Sequence, residues 1–463
     1  MFGNATLAAR APNFRLPRML RALAHRDYRL WAAADLISTV GSWMQLIAQN
    51  WVVLELTHSP AKLGITVTVQ SVPTIALGMW GGSIVDRLPK KRLLLLTQSL
   101  FGVLALTLAA TTAMHALNVW IVWGVALLTG LASTINTPAV GSLCAEIVPE
   151  EDLGNAMALG AATSSTGRML GMACAAWVVA AYGAQTAFAF NALSFVAVIV
   201  ALLMMRTTPS ARKPKDIQAD GALRGLRYIA RSRNLLGLLG LCFVLSAFGR
   251  NFQVTMAAMV SGPLHGGAGA YGFLSTVFAA GTVVGAVVAA RRQVINTELL
   301  LVAAGAAAAL QVLSALAPNT QTFAMLIAPI AVGAVLVDTA SGYRVQTKSD
   351  VAYRGRVIAA ASLVSAAAGA IGGPLLGSLA TWFGARASLA IGGVVALTAT
   401  IACLMAVRER LDLATVADLP IARSLRIHHQ RRILRRDRHR NSGWPTRLTH
   451  SRAHGRRRER KAL

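Results

Sequence analysis

Charged residues are scarce in this chain. Of its 463 residues only 14% are Asp, Glu, Lys or Arg, whereas 55% are hydrophobic. A soluble domain needs a polar surface, and about a quarter of its residues are ordinarily charged. The shortage therefore excludes an ordinary soluble domain and requires that much of the protein surface faces lipid.

Two further absences limit the chemistry of the chain. Its 4 cysteines, Cys144, Cys174, Cys242 and Cys403, lack the paired spacing that would hold zinc or form a redox pair. The sequence contains no Gly-Lys dipeptide, so the phosphate-binding loop G-x-x-x-x-G-K-[ST] is absent. We therefore expect no enzymatic activity, no cofactor and no metal site, and an ion gradient remains as the energy source for any transport.

Long apolar stretches recur along the chain. Each is long enough to cross ~30 Å of hydrocarbon as a helix. They are continuously apolar and rich in Ala, Leu, Val and Gly instead of alternating, which predicts helices and not a barrel. We predict an all-α polytopic membrane protein with twelve transmembrane helices, over residues 30–54, 63–85, 93–113, 119–141, 157–181, 184–205, 235–260, 271–290, 297–317, 322–343, 357–381 and 387–407.

Basic residues fall on one side of this topology. The chain has 45 Lys and Arg against 18 Asp and Glu, a net charge of +27. Nearly all basic residues lie in the amino-terminal arm, in loops that follow even-numbered spans, or in the tail, whereas Lys62 and Arg386 lie in loops on the other side. Because Lys and Arg are retained in the cytoplasm, both termini are predicted to be cytoplasmic, with the protein in the inner or plasma membrane. Orientation and contact with anionic lipid explain the charge, and no nucleic-acid binding is expected.

The two halves of the chain share a glycine pattern. Gly78 and Gly82 match Gly281 and Gly285 about 200 residues later. At the same spacing Gly167 and Gly171 match Gly369 and Gly373, and the turn at Gly183 matches that at Gly384. Six helices is an even number, so a duplicated unit enters the membrane in the same orientation. We predict two parallel six-helix bundles over residues 30–205 and 235–407, with a cytoplasmic arm 1–29, a central loop 206–234 and a basic, disordered cytoplasmic tail 408–463.

Motifs at the helix ends resemble those of the major facilitator superfamily. Residues 82–92 read GSIVDRLPKKR, which is similar to the loop signature G-x-x-x-D-R-x-G-R-R/K, with Pro89 and Lys90 in place of Gly and Arg. Residues 167–172 read GRMLGM, which is similar to the R-x-x-G-P of one exporter branch, with Met172 in place of Pro. The segments LISTVGSWMQ and NTPAVGSLCAEIV also resemble that branch, the transmembrane secretion effectors, which includes enterobactin exporters and macrolide efflux proteins. The resemblance covers residues 20–420.

The resemblance implies a function as well as a fold. It implies a monomeric secondary active transporter that exports a small amphiphilic molecule, a drug or a siderophore-like metabolite, in exchange for protons. Two alternatives remain open at this point: a solute importer of the same fold, and a membrane-anchored binding or tethering protein that uses the basic tail. The tail either lies on anionic lipid of the inner leaflet or has no specific role.

A charged cluster follows the second span. The Asp86 carboxylate lies beside basic residues at a cytoplasmic helix end, where it can pair with them or with the amino terminus of a neighbouring helix. The resemblance implies that the eleventh span is the partner and that this latch holds the outward-open state. The predicted latch consists of Gly82, Asp86, Arg87, Lys91, Arg92, Arg354 and Arg356.

Ionisable and polar residues inside the membrane are costly and therefore indicate function. If protons drive transport, Asp338 and Asp35 are the candidate carriers, and structural pairing near the interface is the alternative. A cation at the depth of Arg168 must face a cavity or pair with a carboxylate, so an anionic or phenolic substrate group is its expected partner. The predicted cavity residues are Arg168, Arg250, Asn251, Gln45, Gln49 and Asn50, and interhelical hydrogen bonding is the alternative for the amides.

Small residues at four-residue spacing let helix backbones approach closely. The residues predicted to pack helices in this way are Gly167, Gly171, Gly373, Pro374 and Gly377.

Overall fold

The computed structural model describes residues 18–206, 232–249, 251–291, 297–348 and 354–417. A short 3-10 helix, Arg18–Ala24, precedes twelve helical spans. These are α1 (Arg26–Thr57), α2 (Pro60–Arg87), α3 (Lys90–Ala113), α4 (Val119–Ile147), α5 (Glu150–Tyr182), α6 (Ala184–Met204), α7a (Arg233–Gly249) with α7b (Phe252–Ser261), α8 (Ala268–Arg291), α9 (Thr297–Ser314), α10 (Thr320–Lys348), α11 (Arg354–Phe383) and α12 (Ala385–Ala417). The all-α prediction is confirmed, and every predicted span contains a helix. The last helix continues to Ala417, and residues 418–463 of the tail lie outside the described part of the chain.

The seventh span departs from the prediction because it is interrupted. The Asn251 amide nitrogen donates to the carbonyl oxygens of Ser246 (3.2 Å) and Ala247 (2.8 Å), near the end of α7a. The last carbonyls of a helix have no partner within it. The Asn251 side chain therefore supplies the bonds that the interruption would otherwise remove.

Nine of the spans within the described residues are long and apolar enough to cross a membrane by length and composition alone. The spans outside this set, α1, α2 and α5, are at least as long as most of the others. They carry more polar side chains, such as Asp35 and Asn50 in α1 and Arg168 in α5. Polar residues in a membrane helix usually face the protein interior, and α1 and α5 line the central cavity described below.

The turns between α5 and α6 and between α11 and α12 are alike. Gly183 and Gly384 have φ values of 81° and 86°. A side chain disfavours this conformation, so glycine allows the chain to reverse within one residue. The two glycines are repeat partners in the sequence, and the matched turns lie at the same end of the two halves. We call this end, which also holds the α1–α2 turn, the predicted outer end.

Helix packing within the amino-terminal half depends on small residues of α5. A Cβ atom at Gly167 would lie 2.7 Å from Thr39 Cγ2, and one at Gly171 would lie 2.5 Å from the Val40 carbonyl oxygen. Both contacts are shorter than van der Waals separation. Close approach of α5 to α1 thus requires glycine at these two positions, and it brings Trp43 to the same face as Arg168.

The two halves meet through α2 against α11 and α5 against α8. A Cβ atom at Gly64 would overlap the Gly373 backbone, and one at Gly377 would overlap Pro60. Thr68 donates a hydrogen bond to the Ala370 carbonyl oxygen (2.5 Å). Backbones in direct contact leave no space for water between the halves at the predicted outer end.

Among the described residues, the contact between the halves does not continue to the other end of the spans. A Cβ atom at Gly78 of α2 or Gly369 of α11 would find no atom of the described residues within 4 Å. One hydrophobic core, which contains Trp51 and Tyr271, draws on both halves at the predicted outer end. Farther from it, one core consists of amino-terminal residues and another of carboxy-terminal residues. The halves therefore share a core at one end and have separate cores at the other.

Candidate substrate cavity

A cavity of about 200 Å³ lies between the two halves. The amino-terminal half contributes residues of α1 and α5, and the other half contributes residues of α7b, α8 and α10. Its lining consists of Trp43, Ile47, Arg168, Met172, Phe252, Gln253, Met256, Ser275, Phe278, Ala279, Thr282, Ala334, Val335 and Asp338. Rotation of one half against the other must change the shape of this cavity.

Arg168 carries the positive charge of the described cavity lining. Its Nη2 donates to Thr282 Oγ1 across the halves, at 3.4 Å. Thr282 directs its own hydroxyl hydrogen to the Ala279 carbonyl oxygen, at 2.7 Å. The guanidinium carbon lies 5.8 Å from the centre of the Trp43 ring, within the range of a cation–π interaction. The geometry holds a planar cation at the cavity wall, where it can bind a carboxylate, phenolate or phosphate group in two-point fashion.

Most of the other residues that line the cavity are apolar, and three of them are aromatic. Phe252 and Phe278 lie with ring centres 5.4 Å apart, and Trp43 adds a third aromatic surface. Met172 and Met256 also line the cavity, and methionine side chains adapt to irregular partners. A ligand that fills this space would be an amphiphile with an apolar or aromatic body and an anionic group.

Asp338 supplies a negative charge to the same cavity. Its side chain is exposed, and it also lines a second cavity of about 410 Å³ between α7a, α10 and α11. Arg168, predicted to face a cavity, and Asp338, predicted as a candidate proton carrier, thus line the same cavity.

Tyr271 closes the space between the cavity and the predicted outer end. Its side chain is fully buried, and its ring stacks on Trp51 of the other half, with ring centres 5.9 Å apart. The Asn50 amide donates to the Tyr271 hydroxyl (3.3 Å), which donates to the Gln253 carbonyl oxygen (3.4 Å). The sequence pattern alone does not single out Tyr271. A tyrosine within an otherwise apolar span could have indicated this role, because its buried hydroxyl needs a hydrogen-bond partner.

The other predicted cavity residues have separate positions. The Asn191 amide donates to Gln45 Oε1 at 2.8 Å, so Gln45 joins α1 to α6 within one half. Gln49 is buried in α1, and Asn50 contributes to the seal at Tyr271. Asn251 bonds to the end of α7a, and Arg250 lies outside the described residues. None of the described four is in the cavity lining, and their hydrogen bonds match the interhelical alternative for Gln45 and Asn50.

The structure describes only some of the side chains that were predicted to carry protons or to form the latch. Asp35 lies on α1 within electrostatic range of Cys144 on α4, away from the central cavity. Lys91 Nζ donates to the Met205 carbonyl oxygen at 2.9 Å, and Arg92 is exposed. Gly82 lies in α2, and the side chains of Asp86, Arg87, Arg354 and Arg356 lie outside the described part of the structure. The latch therefore stays a prediction.

Two six-helix halves around a central cavity are the architecture of a membrane transporter. The family model of the transmembrane secretion effectors matches residues 19–432. The chain belongs to this family of the major facilitator superfamily, whose members are transporters and not enzymes.

Curated relatives agree with this assignment. An uncharacterized MFS-type transporter, YfiS of Bacillus subtilis, is 24% identical over 378 residues, 78% of this chain and 88% of that protein. The staphyloferrin A transporter of Staphylococcus aureus is 30% identical over 35% of this chain, and the match covers 42% of that protein. The enterobactin exporter EntS of Shigella flexneri is 22% identical over 57% of this chain and 62% of its own length. The two relatives with assigned substrates are thus matched over less than two thirds of their length.

Solved structures share the fold. The nucleoside transporter NupG superposes with a TM-score of 0.67 at 11% identity, over 82% of this chain and 98% of that one. A bacterial homologue of the iron transporter ferroportin, in an inward-facing state, gives a TM-score of 0.63 at 16% identity, over 81% and 98%. The predicted major facilitator fold is confirmed, and the protein is a multi-pass membrane protein that handles a small molecule.

Proposed function

We propose that this protein exports a small amphiphilic anion across the cytoplasmic membrane by alternating access, driven by a cation gradient. The observation that carries the proposal is the position of Arg168 in the wall of a cavity between the two halves that three aromatic side chains also line. A guanidinium at membrane depth is costly, and Arg168 faces the space in which an anionic substrate group would lie. Relatives named for enterobactin export and staphyloferrin A transport support a siderophore-like metabolite as the substrate class.

The conformation supports alternating access. The halves touch at the predicted outer end through Gly64, Gly377 and Tyr271, whereas Gly78 and Gly369 have no neighbour within reach of a Cβ atom in the described part of the chain. With the orientation that the basic loops predict, this is an inward-facing state, in which a cytoplasmic substrate can reach Arg168. Reversal requires the outer contacts to separate and the other end to close, which is the step that the predicted latch at Asp86 would stabilise.

Everted membrane vesicles that contain the full chain test the proposal. Uptake of enterobactin, staphyloferrin A or an anionic aromatic dye should depend on an imposed proton or sodium gradient and stop when ionophores collapse it. A cationic dye of similar size should be carried more slowly, because Arg168 repels it. The control is a vesicle preparation without the protein. Equal, gradient-independent signals in both preparations for every probe would contradict active export.

The same vesicles distinguish the alternatives. An importer would accumulate the probes in right-side-out vesicles under the physiological gradient and not in everted ones. A tethering protein would show no transport in either orientation, and its cellular phenotype would disappear on deletion of residues 420–463. We expect this deletion to leave the transport rate within about twofold of the full chain, because the family match is centred on the helical body and surface charges away from a site have small effects.

A further inference from the structure

The substrate cavity and the second cavity adjoin each other at α10. Ala334 and Val335 of this helix line the substrate cavity, and Val337 lines the second cavity, which lies between α7a, α10 and α11. Asp338 lines both cavities. A ligand that lies against Arg168 and extends past Asp338 therefore enters the second cavity without crossing a helix.

The substrate cavity alone is small for a siderophore-like metabolite. Sites for drug-sized ligands in proteins have volumes of roughly 300–1,000 Å³, and this cavity has about 200 Å³. The second cavity adds about 410 Å³. The two together fall within the usual range, so a ligand of that size has to extend into the second cavity.

The two cavities differ in chemistry. Aromatic side chains line the substrate cavity, whereas the second is lined by serines of α7a and α11, namely Ser246, Ser362 and Ser365. Ser362 and Ser365 are three residues apart, so they occupy one helix face. Asp338 is the charged residue of the described lining, and its carboxylate disfavours a second anionic group. The second cavity therefore suits a neutral group that forms hydrogen bonds.

The hydroxyl groups of Ser362 and Ser365 are available to a ligand. A hydroxyl group in a helix can donate to the carbonyl oxygen four residues earlier, as Thr381 on the same helix donates to Gly377 at 3.0 Å. Ser362 and Ser365 are exposed, and neither hydroxyl group forms a hydrogen bond with another described residue. Ser341 differs, because its Oγ is buried and presents almost no surface to the cavity.

We propose that the second cavity binds a neutral arm of the exported anion, rich in hydroxyl or amide groups, through Ser362 and Ser365. The anionic aromatic part of the same molecule lies in the substrate cavity against Arg168. The substrate class is thus an aromatic acid joined to a neutral, hydrogen-bonding arm. This inference rests on the proposed function, because it extends the anion site at Arg168.

Three synthetic probes test the inference on the purified full chain in detergent. The first is naphthoate, an aromatic anion without an arm. The second is a naphthalene dicarboxylic acid that keeps one free carboxylate and carries serinol, an arm with two hydroxyl groups, as an amide on the other carboxyl group. The third, the methyl probe, has both hydroxyl groups of the arm replaced by methyl groups. Because a ligand of the folded state raises the unfolding temperature, its dissociation constant follows from a thermal titration.

The ratio of two dissociation constants is the decisive measurement, because the shared aromatic acid cancels from it. We expect the wild type to bind the serinol probe at least about fivefold more tightly than the methyl probe, since the hydroxyl groups gain partners in the second cavity. The double variant Ser362→Ala/Ser365→Ala should lose this preference.

Two further variants locate the effect. Ser341→Ala should keep the preference for the serinol probe, because the Ser341 Oγ is buried and cannot reach a ligand. Arg168→Ala should weaken the binding of all three probes by a similar factor, because each of them carries the aromatic carboxylate.

The outcomes separate this inference from the proposed function. Equal affinities for the serinol and methyl probes in the wild type would overturn the inference, as would a preference that survives in the double serine variant. Binding of naphthoate without binding of either amide would overturn it as well. If naphthoate does not bind, or binds equally well to Arg168→Ala, the anion site of the proposed function fails, and the inference fails with it.

Discussion

Arg168→Ala should lower the export rate by at least about tenfold while the amount of protein in the membrane stays unchanged. The guanidinium is the cationic group of the described cavity lining, and truncation of a buried charge partner ordinarily costs 2 kcal/mol or more. A loss of ~1.4 kcal/mol already corresponds to tenfold. Initial rates of anionic probe uptake in everted vesicles, normalised to protein abundance, measure the effect.

Three further variants separate substrate binding from structure. Arg168→Lys keeps the charge but loses the planar group that faces Trp43, so we expect an intermediate rate. Thr282→Val removes the hydroxyl that accepts from Arg168 and should cost about fivefold or less, since a single net hydrogen bond contributes ~1 kcal/mol or less. Arg291→Ala removes a cation outside the cavity lining and should leave transport unchanged. Wild-type rates in Arg168→Ala would remove Arg168 from the substrate site.

Gly64→Ala should stop transport by preventing closure of the predicted outer end. The added Cβ atom would overlap the Gly373 backbone, and backbone of a packed helix cannot move aside as a side chain can. The halves would then remain apart at this end, so a cysteine placed at Ala61 should react faster with a membrane-impermeant maleimide. Labelling rate and vesicle uptake are the two measurements.

Gly78→Ala is the matched control on the same helix. A Cβ atom there meets nothing within 4 Å among the described residues in this conformation, so we expect labelling at position 61 close to that of the wild type. The account of the outer contact would be wrong if Gly64→Ala transported as well as the wild type, or if it abolished transport without increasing labelling at position 61.

The sequence predicts the helices of this protein well because hydrocarbon imposes one requirement on every span. Backbone polar groups in lipid must bond within their own segment, so a long apolar run has few alternatives to a helix. The interruption of the seventh span is the exception. The polar pair Arg250 and Asn251 indicated the interruption. Hydropathy averaged over the length of a whole span conceals two polar residues.

Side-chain direction limits what the sequence predicts of the site. Trp43 and Gln45 are two residues apart on α1, and Trp43 lines the cavity whereas Gln45 bonds to Asn191 on α6. Which face of a span meets which neighbour depends on packing against helices distant in sequence. Arg168 and Asp338 could be singled out in advance because charge in a membrane is expensive at any rotation of the helix.

The glycine repeat shows a second limit. Gly78 and Gly281 are repeat partners, and the pattern predicts equal packing roles for them. A Cβ atom at Gly281 would lie 2.6 Å from the Ala328 carbonyl oxygen of α10, in the same half, whereas one at Gly78 would meet no atom of the described residues within 4 Å. The two repeat partners therefore differ in how closely they pack, and a shared glycine pattern does not predict shared neighbours.

A reversible cross-link between the halves tests alternating access most directly. The Ala61 backbone nitrogen lies 3.3 Å from Thr381 Oγ1, so cysteines at these two positions are close enough to be joined by a disulfide or a short cross-linker. The experiment uses a background in which Cys144, Cys174, Cys242 and Cys403 are replaced by serine or alanine. We predict efficient cross-linking that stops transport and recovery of the rate on reduction. Full transport by the cross-linked protein would contradict the claim that the two halves must separate at this end.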